Sequence, residues 1–315
     1  MGRSPNLVQP LTNRRQMTTL ENRQVAGLSV GYYARAWKRF RTRSAMVSLT
    51  VVGVLVLSCV IGPILLPPDT VNLNIVNSPI LSAGHILGTD LEGRDVLVRL
   101  LDGGRISLLV GVAAMLVTLT LALLIGMLSG YAGKAVDSAL TPITNVFLSI
   151  PSLMILVLFG VIFGHGIQTV VIGIGILSWP YPARVIRSVT LSLREAQYIE
   201  AARALGVAPA RILVRHLLPN TLGPVMVSAS LAIANAILTE SSLSFLGLGI
   251  NPPTATWGYL LNEGRDRLDS VNGFVFELWP GLLILVTVLA FNYMGSALND
   301  AFDPRSSRDP GTPVE

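Results

Sequence analysis

The chain has a single cysteine, Cys59, in 315 residues. One thiol inside an apolar run supports neither a disulfide framework nor a thiolate metal site, and reads as a small buried hydrophobe. Histidine is nearly as scarce. His85, His165 and His216 lie far apart, with no paired ligand spacing on one helix, so no metal site is expected. Charge is short as well: 13% of residues are charged, against roughly 25% in a soluble domain. No HExxH pattern occurs and no paired intramembrane carboxylates appear, which removes two of the usual signatures of a membrane hydrolase. The stretch SGYAGKA, residues 129–135, looks like part of a phosphate loop. Yet Leu128 stands where the first glycine belongs, and Ala135 replaces the magnesium-binding Ser or Thr. The chain is therefore expected to bind no nucleotide and to catalyse nothing itself.

Hydrophobic residues, by contrast, make up 51% of the chain, and aromatics at 6% explain little of it. The apolar mass is Leu, Val, Ile, Ala and Gly, the vocabulary of helices packed in lipid. The expected class is all-α: a polytopic membrane protein with six transmembrane helices, bathed in membrane lipid. Its net charge of +5 does not point to nucleic acid, because the basic residues cluster beside apolar runs.

A spanning helix needs about 20 apolar residues. Candidates fall at 45–66, 106–128, 139–163, 167–180, 222–246 and 279–298. Pro151 should kink the third, and Pro180 with Pro182 should bend or interrupt the fourth. Arg35, Lys38, Arg39, Arg41 and Arg43 crowd the entrance to the first span and hold the N-terminus in the cytoplasm. The resulting organisation is a cytoplasmic extension at 1–44, a first span at 45–66 and an external segment at 67–104. A five-helix core at 105–300 follows, with a tail at 301–315 that is also cytoplasmic. The polar first 30 residues lack a secretory signal's apolar core.

Within that core, residues 191–220 form an elbow that span parity places in the cytoplasm, and its arginines agree. In YIEAARALGVAPARILVRHLLPN, residues 198–220, Glu200 sits in a helix's first turn, where the dipole favours negative charge. Ala201, Ala202 and Ala204 are strong helix formers of little bulk, flanking Arg203. Gly206 suits a left-handed helix end and Pro209 a helix's first turn. Arg211 and Arg215 share a face of the second helix, and Leu218–Pro219 is expected to close the unit. On these residues alone, the elbow could equally be a well-formed connection between spans.

The spacing of Glu200, Ala201, Ala202, Gly206, Leu218 and Pro219 resembles the EAA loop of membrane subunits of binding-protein-dependent ABC importers. HILGTDLEGRDVLVRLLDGGRISLLVG (85–111), ESSLSFLGLGINPPTATWG (240–258) and WPGLLILVTVLAFNYMGSALNDAFDPR (279–305) resemble the C-type subunit of oligopeptide and dipeptide permeases. The likeness covers roughly residues 37–305. It departs at Pro142 and Asn145, where these permeases often carry Arg and Asp.

The resemblance implies the type I ABC importer transmembrane fold in a bacterial plasma membrane. It implies a homologous B-type permease partner, two ATPase domains or subunits that bind the ATP and Mg, an external substrate-binding protein, and a peptide substrate. Relatives of the same architecture carry nickel chelates, opines, glutathione or sugars, so the cargo stays open. The elbow would be the coupling helix, with Glu200, Ala201, Ala202, Arg203, Gly206, Pro209, Arg211, Arg215, Leu218 and Pro219 facing an ATPase groove. A membrane enzyme or an ATPase-independent transporter is the competing class; the latter would call for several intramembrane charges or a repeated half.

Two further places stand out. Thr89 and Glu92 have capping-box spacing, and with Asp90, Gly93, Arg94 and Asp95 they suggest an external amphipathic helix. Such a helix would be a surface anchor, a contact for the binding protein or a lateral gate. Glu240 is the one acidic residue deep within an apolar span. It lines a pathway or gate, or is a carboxyl satisfied by Ser241, Ser242 or a partner subunit.

Overall fold

The computed structural model describes residues 40, 42–66, 70–82, 84–265 and 273–302. The expectations for the N-terminal extension, for Arg35, Lys38, Arg39 and Arg41, and for the tail beyond 302 fall outside these residues. Among the described residues the regular structure is helical, with two isolated bridges, Ser82–His85 and Thr89–Asp95, and no strand.

Helix α1 (Arg43–Leu65) opens with the Thr42 hydroxyl accepting the Ala45 N–H. Only Ala45, Ser48 and Cys59 on it are buried, so most of its apolar surface faces outward, as a lipid-facing helix requires. Helix α2 (Val96–Tyr131) is the mast of the molecule. Its 36 residues extend about 54 Å, well beyond a hydrocarbon core of about 30 Å. It packs against α1, against α5 (Ile167–Ser178) and α6 (Pro180–Arg194), and against α9 (Leu218–Phe245). The approach to α6 is tight. A Cβ at Gly126 would stand 2.6 Å from the Ala183 carbonyl oxygen, and one at Gly130 2.7 Å from the Thr190 Cβ. Small residues let two backbones meet at this distance, and dispersion then holds them.

Proline places the breaks. Ile150 is extended, the conformation forced on a residue before proline. Helix α3 (Lys134–Ser149) therefore meets α4 (Ser152–Phe163) at 84°. The expected kink in the third span is thus a sharp corner, and α3 begins at Lys134, ahead of the span expected at 139–163. At Pro180 the missing N–H and ring bulk bend α5 against α6 by 41°, the interruption expected there. Among the described residues four helices are long and apolar enough to cross a membrane, or up to six if each bent pair is one span.

The N-terminal end of α2 corrects another expectation. Among the described residues no separate amphipathic helix precedes the second span, because Asp95 caps α2 and its carboxylate accepts the N–H groups of Leu97 and Val98. With no break at Gly103 or Gly104, α2 continues unbroken from Val96. Thr89 and Glu92 therefore cap nothing. Instead the Thr89 hydroxyl donates to the Ile75 carbonyl and accepts the Ser78 N–H, pinning a loop against the helix start. Further along, α10 (Trp257–Arg265) tucks between α2, α9 and α11 (Gly273–Phe302).

Candidate functional site

The elbow forms as three short pieces. Helix α7 (Gln197–Ala204) carries Glu200 in its first turn. Gly206 follows at φ +74°, a left-handed conformation that costs a residue with a Cβ about 1–2 kcal/mol. The Val207 N–H reaches back to the Ala202 carbonyl, closing the helix end. Helix α8 (Pro209–Ile212) begins on Pro209, whose absent N–H would be unsatisfied there anyway.

Pro219 does not close the unit as expected. A π turn, Leu213–Leu217, carries the chain on into α9, with the Leu218 N–H bonded to the Leu213 carbonyl five residues back. The wider turn leads into α9 with Pro219 in its first turn, where a missing donor is tolerated. A leucine-proline pair after a helical run is the only sequence signal of this register change.

What makes the elbow stiff is buried beneath it. Ile199, Ile212 and Leu217 are fully buried, one from each piece, in a cluster with Ala122, Met127, Trp179, Ala183 and Ile186 of the mast and its neighbours. Glu200, Ala201, Arg203, Gly206, Pro209, Arg211 and Arg215 are all exposed, and Ala202 is half-buried. Leu205, which the sequence reading passed over, is 83% exposed at the tip beside Gly206. Arg203 lies over the Tyr131 ring, 5.0 Å from its centroid, and so braces the elbow against the end of α2. Among the described residues no carboxylate pairs with Arg211 or Arg215. A cleft lined by Tyr131, Arg194, Glu200, Arg203 and Leu213 opens beside the elbow.

The second candidate lies at the opposite end of α2 and is ionic. The Asp90 carboxylate accepts the backbone N–H groups of Glu92 and Arg94, and it pairs with both Arg94 (2.8 Å) and Arg99 (2.7 Å). Burial alone would push the Asp90 carboxyl up. The Arg94 backbone N–H and the two guanidiniums together outweigh it, and hold the group below its ordinary range. Arg99 also reaches Glu263 of α10 at 2.7 Å. It is 4% exposed, so it is no surface residue of an amphipathic helix: it clips the start of α2 to α10. Gly93, at φ +71°, closes the turn. The Asp95 carboxylate accepts from His85 at 2.7 Å as well as capping α2.

Glu240 lies deeper and is fully buried within the chain. Ser244 donates to Oε1 at 2.8 Å, Ser107 and Ser241 donate to Oε2 at 3.3 and 3.4 Å, and Thr256 contributes a fourth hydroxyl. Ser242, named as a partner from sequence, bonds the Leu238 carbonyl instead. The hydroxyls are themselves oriented: Ser107 accepts the Trp257 N–H, Ser244 that of Ile250 and Thr256 that of Tyr259. The carboxylate is thus the hub that fastens α10 and the loop before it to α2 and α9. The Glu240 side chain is fully enclosed by the described residues.

Two comparisons fit this architecture. Residues 122–308 match the family described as binding-protein-dependent transport system inner membrane component, and residues 31–79 match the N-terminal TM domain of oligopeptide transport permease C. The oligopeptide transport system permease protein OppC of Escherichia coli K12 is 40% identical over 303 residues, covering 94% of this chain and 99% of that one. OppC of Haemophilus influenzae is 36% identical, covering 91% and 92%. The dipeptide transport system permease protein DppC of Bacillus subtilis is 36% identical, covering 89% and 88%. The chain belongs to the binding-protein-dependent inner membrane component family. It is a polytopic membrane permease subunit of a binding-protein-dependent transport system.

Proposed function

We propose that this chain forms half of a peptide translocation path in an ATP-driven importer, paired with a homologous B-type permease. Two cytoplasmic ATPase domains or subunits would bind the ATP and Mg, and an external binding protein would deliver a dipeptide or oligopeptide. The similarity to OppC and DppC proteins along nearly the whole chain supports the peptide reading. Both termini are assigned to the cytoplasm, the side of the elbow.

The observation that carries the mechanism is the contrast within the elbow. One face is locked into the core by Ile199, Ile212 and Leu217, while Leu205, Ala201 and Gly206 stand out from it. A handle of this kind transmits displacement instead of absorbing it. The small alanines permit close docking, Leu205 supplies an apolar knob, and Arg211 with Arg215 suits an acidic rim. Closure of the ATPases on ATP would draw the elbow with them and rock the attached spans between inward-open and outward-open states.

Reconstituted with its partners, the complex tests this directly. Leu205→Asp is expected to lower ATPase co-purification by about tenfold, since a desolvated apolar contact is replaced by a charge. Glu200→Ala and Gly206→Val should leave membrane insertion intact and lower peptide uptake per ATP hydrolysed. Normal uptake in all three variants would refute the coupling role.

A further inference from the structure

Helix α3 is unusually bare. Of its sixteen residues only Thr144 is buried, and it rests chiefly on α2 and α6. Its place beside α6 depends on a short antiparallel ladder of side chains. Nearest the elbow, the Asp137 carboxylate takes both arms of Arg187, Nε to Oδ1 at 2.5 Å and Nη2 to Oδ2 at 2.6 Å. Further along, Arg184 donates to the Asn145 side-chain oxygen at 2.7 Å. At the far end the rings of Phe147 and Trp179 lie 5.3 Å apart. The first rung is the most elaborate: Ser129 of α2 also donates to Asp137 Oδ1 at 2.5 Å, and Thr141 at 3.2 Å. One carboxylate therefore ties three helices together.

Its location matters. Helix α6 ends at Arg194, and α7, the elbow's first piece, starts at Gln197. Any displacement of the elbow reaches α6 across two residues. Toward α2, α6 is held by the backbone contacts at Gly126 and Gly130, about one helical turn apart on α2. Toward α3 its side-chain hydrogen bonds are those of the ladder. A fork-shaped guanidinium on a carboxylate fixes angle as well as distance, which is what a joint between two moving rods requires. Beyond Ile150, α3 turns by 84° into α4, so a tilt delivered at Asp137 is redirected across the membrane plane.

We propose that Asp137–Arg187, seated by Ser129 and Thr141, is the joint through which movement of the elbow is passed from α6 into the α3–α4 corner. Asp137 and Arg187 are positioning residues of the transport cycle. They act through the helices they join and touch neither cargo nor nucleotide. The inference rests on the importer reading above.

The test uses the complete complex in proteoliposomes, with the partner permease, ATPases and binding protein, and reads peptide imported per ATP hydrolysed. Asp137→Asn and Arg187→Gln are each expected to lower that ratio about fivefold or more, the span of a typical coupling free energy. The exchange Asp137→Arg with Arg187→Asp should recover most of it. Arg187→Lys keeps the charge but loses the fork, so it should assemble fully and fall between wild type and Arg187→Gln. A wild-type ratio in Arg187→Lys and in whatever single variants assemble would reduce the pair to structural support and overturn the joint. So would a charge exchange that assembles without recovery. A wild-type complex whose hydrolysis ignores the binding protein would sink the importer reading first, and the joint with it.

Discussion

Glu240 illustrates how a carboxylate survives among apolar helices: four hydroxyls point at it, and three of them are aimed by accepting a backbone N–H. An amide cannot replace it neutrally. In Glu240→Gln one end of the side chain would present N–H groups to hydroxyl protons, leaving a buried donor unmet at a cost of about 1–3 kcal/mol. The expected result is a lower thermal midpoint of the purified complex, with uptake by the surviving fraction unchanged. Lost uptake at an unchanged midpoint would instead mark a pathway residue. From sequence, the depth of Glu240 was legible but its surroundings were not. Ser107 lies 133 positions away, and no local pattern announces that pairing. Arg99 was hidden for a similar reason, since its partner Glu263 sits on a helix 164 positions distant.

Among the elements, the prolines were the most readable and the least completely read. Pro151 and Pro180 each marked a break, because a missing donor and a clashing ring are local facts, whereas Pro63, Pro142, Pro224 and Pro280 lie inside helices. The size of each break was not local: 84° at Pro151 and 41° at Pro180 depend on what the next helix packs against. The same distinction explains the external segment. Capping-box spacing at Thr89 and Glu92 suggested a helix start, but the loop's tie to Ile75 and Ser78 overrides it and Asp95 caps α2 six residues later. Elbow elements were legible nearly throughout, since alanine, glycine and proline act through their own backbones; only the π turn escaped. The α2–α6 contact yields an element-scale prediction. Gly126→Val would drive a branched side chain into the Ala183 carbonyl, with the bare Cβ already at 2.6 Å. Overpacking by more than a methyl forces helices apart and costs about 1–3 kcal/mol or more. Gly126→Val should therefore lower the yield of folded subunit in gel filtration, whereas Gly53→Val, at a position with nothing within 4 Å, should not.

At the scale of the molecule the two ends are held by different physics. The elbow end is an apolar cluster with one partly exposed ion pair, and the opposite end is a buried ionic clip. Their responses to acid should differ accordingly. Asp90 titrates lower in the fold than its ordinary 3.8, so its contribution is fully present above that value and drains away as pH falls toward the depressed one. Hydrogen exchange measured between pH 6 and 3 should then show the start of α2 and α10 loosening at the acid end while α7 and α8 stay protected. Asp90→Asn should remove the acid-dependent part and leave those segments loose at every pH. Unbroken along its 36 residues, α2 belongs to both ends, with Arg99 near its beginning and Ser129 near its close. A beam fixed to a clasp at each tip does not stretch. It pivots, and a swing of about 5° around its centre carries each tip roughly 2 Å in opposite directions, so that opening on one side of the membrane and narrowing on the other become a single displacement.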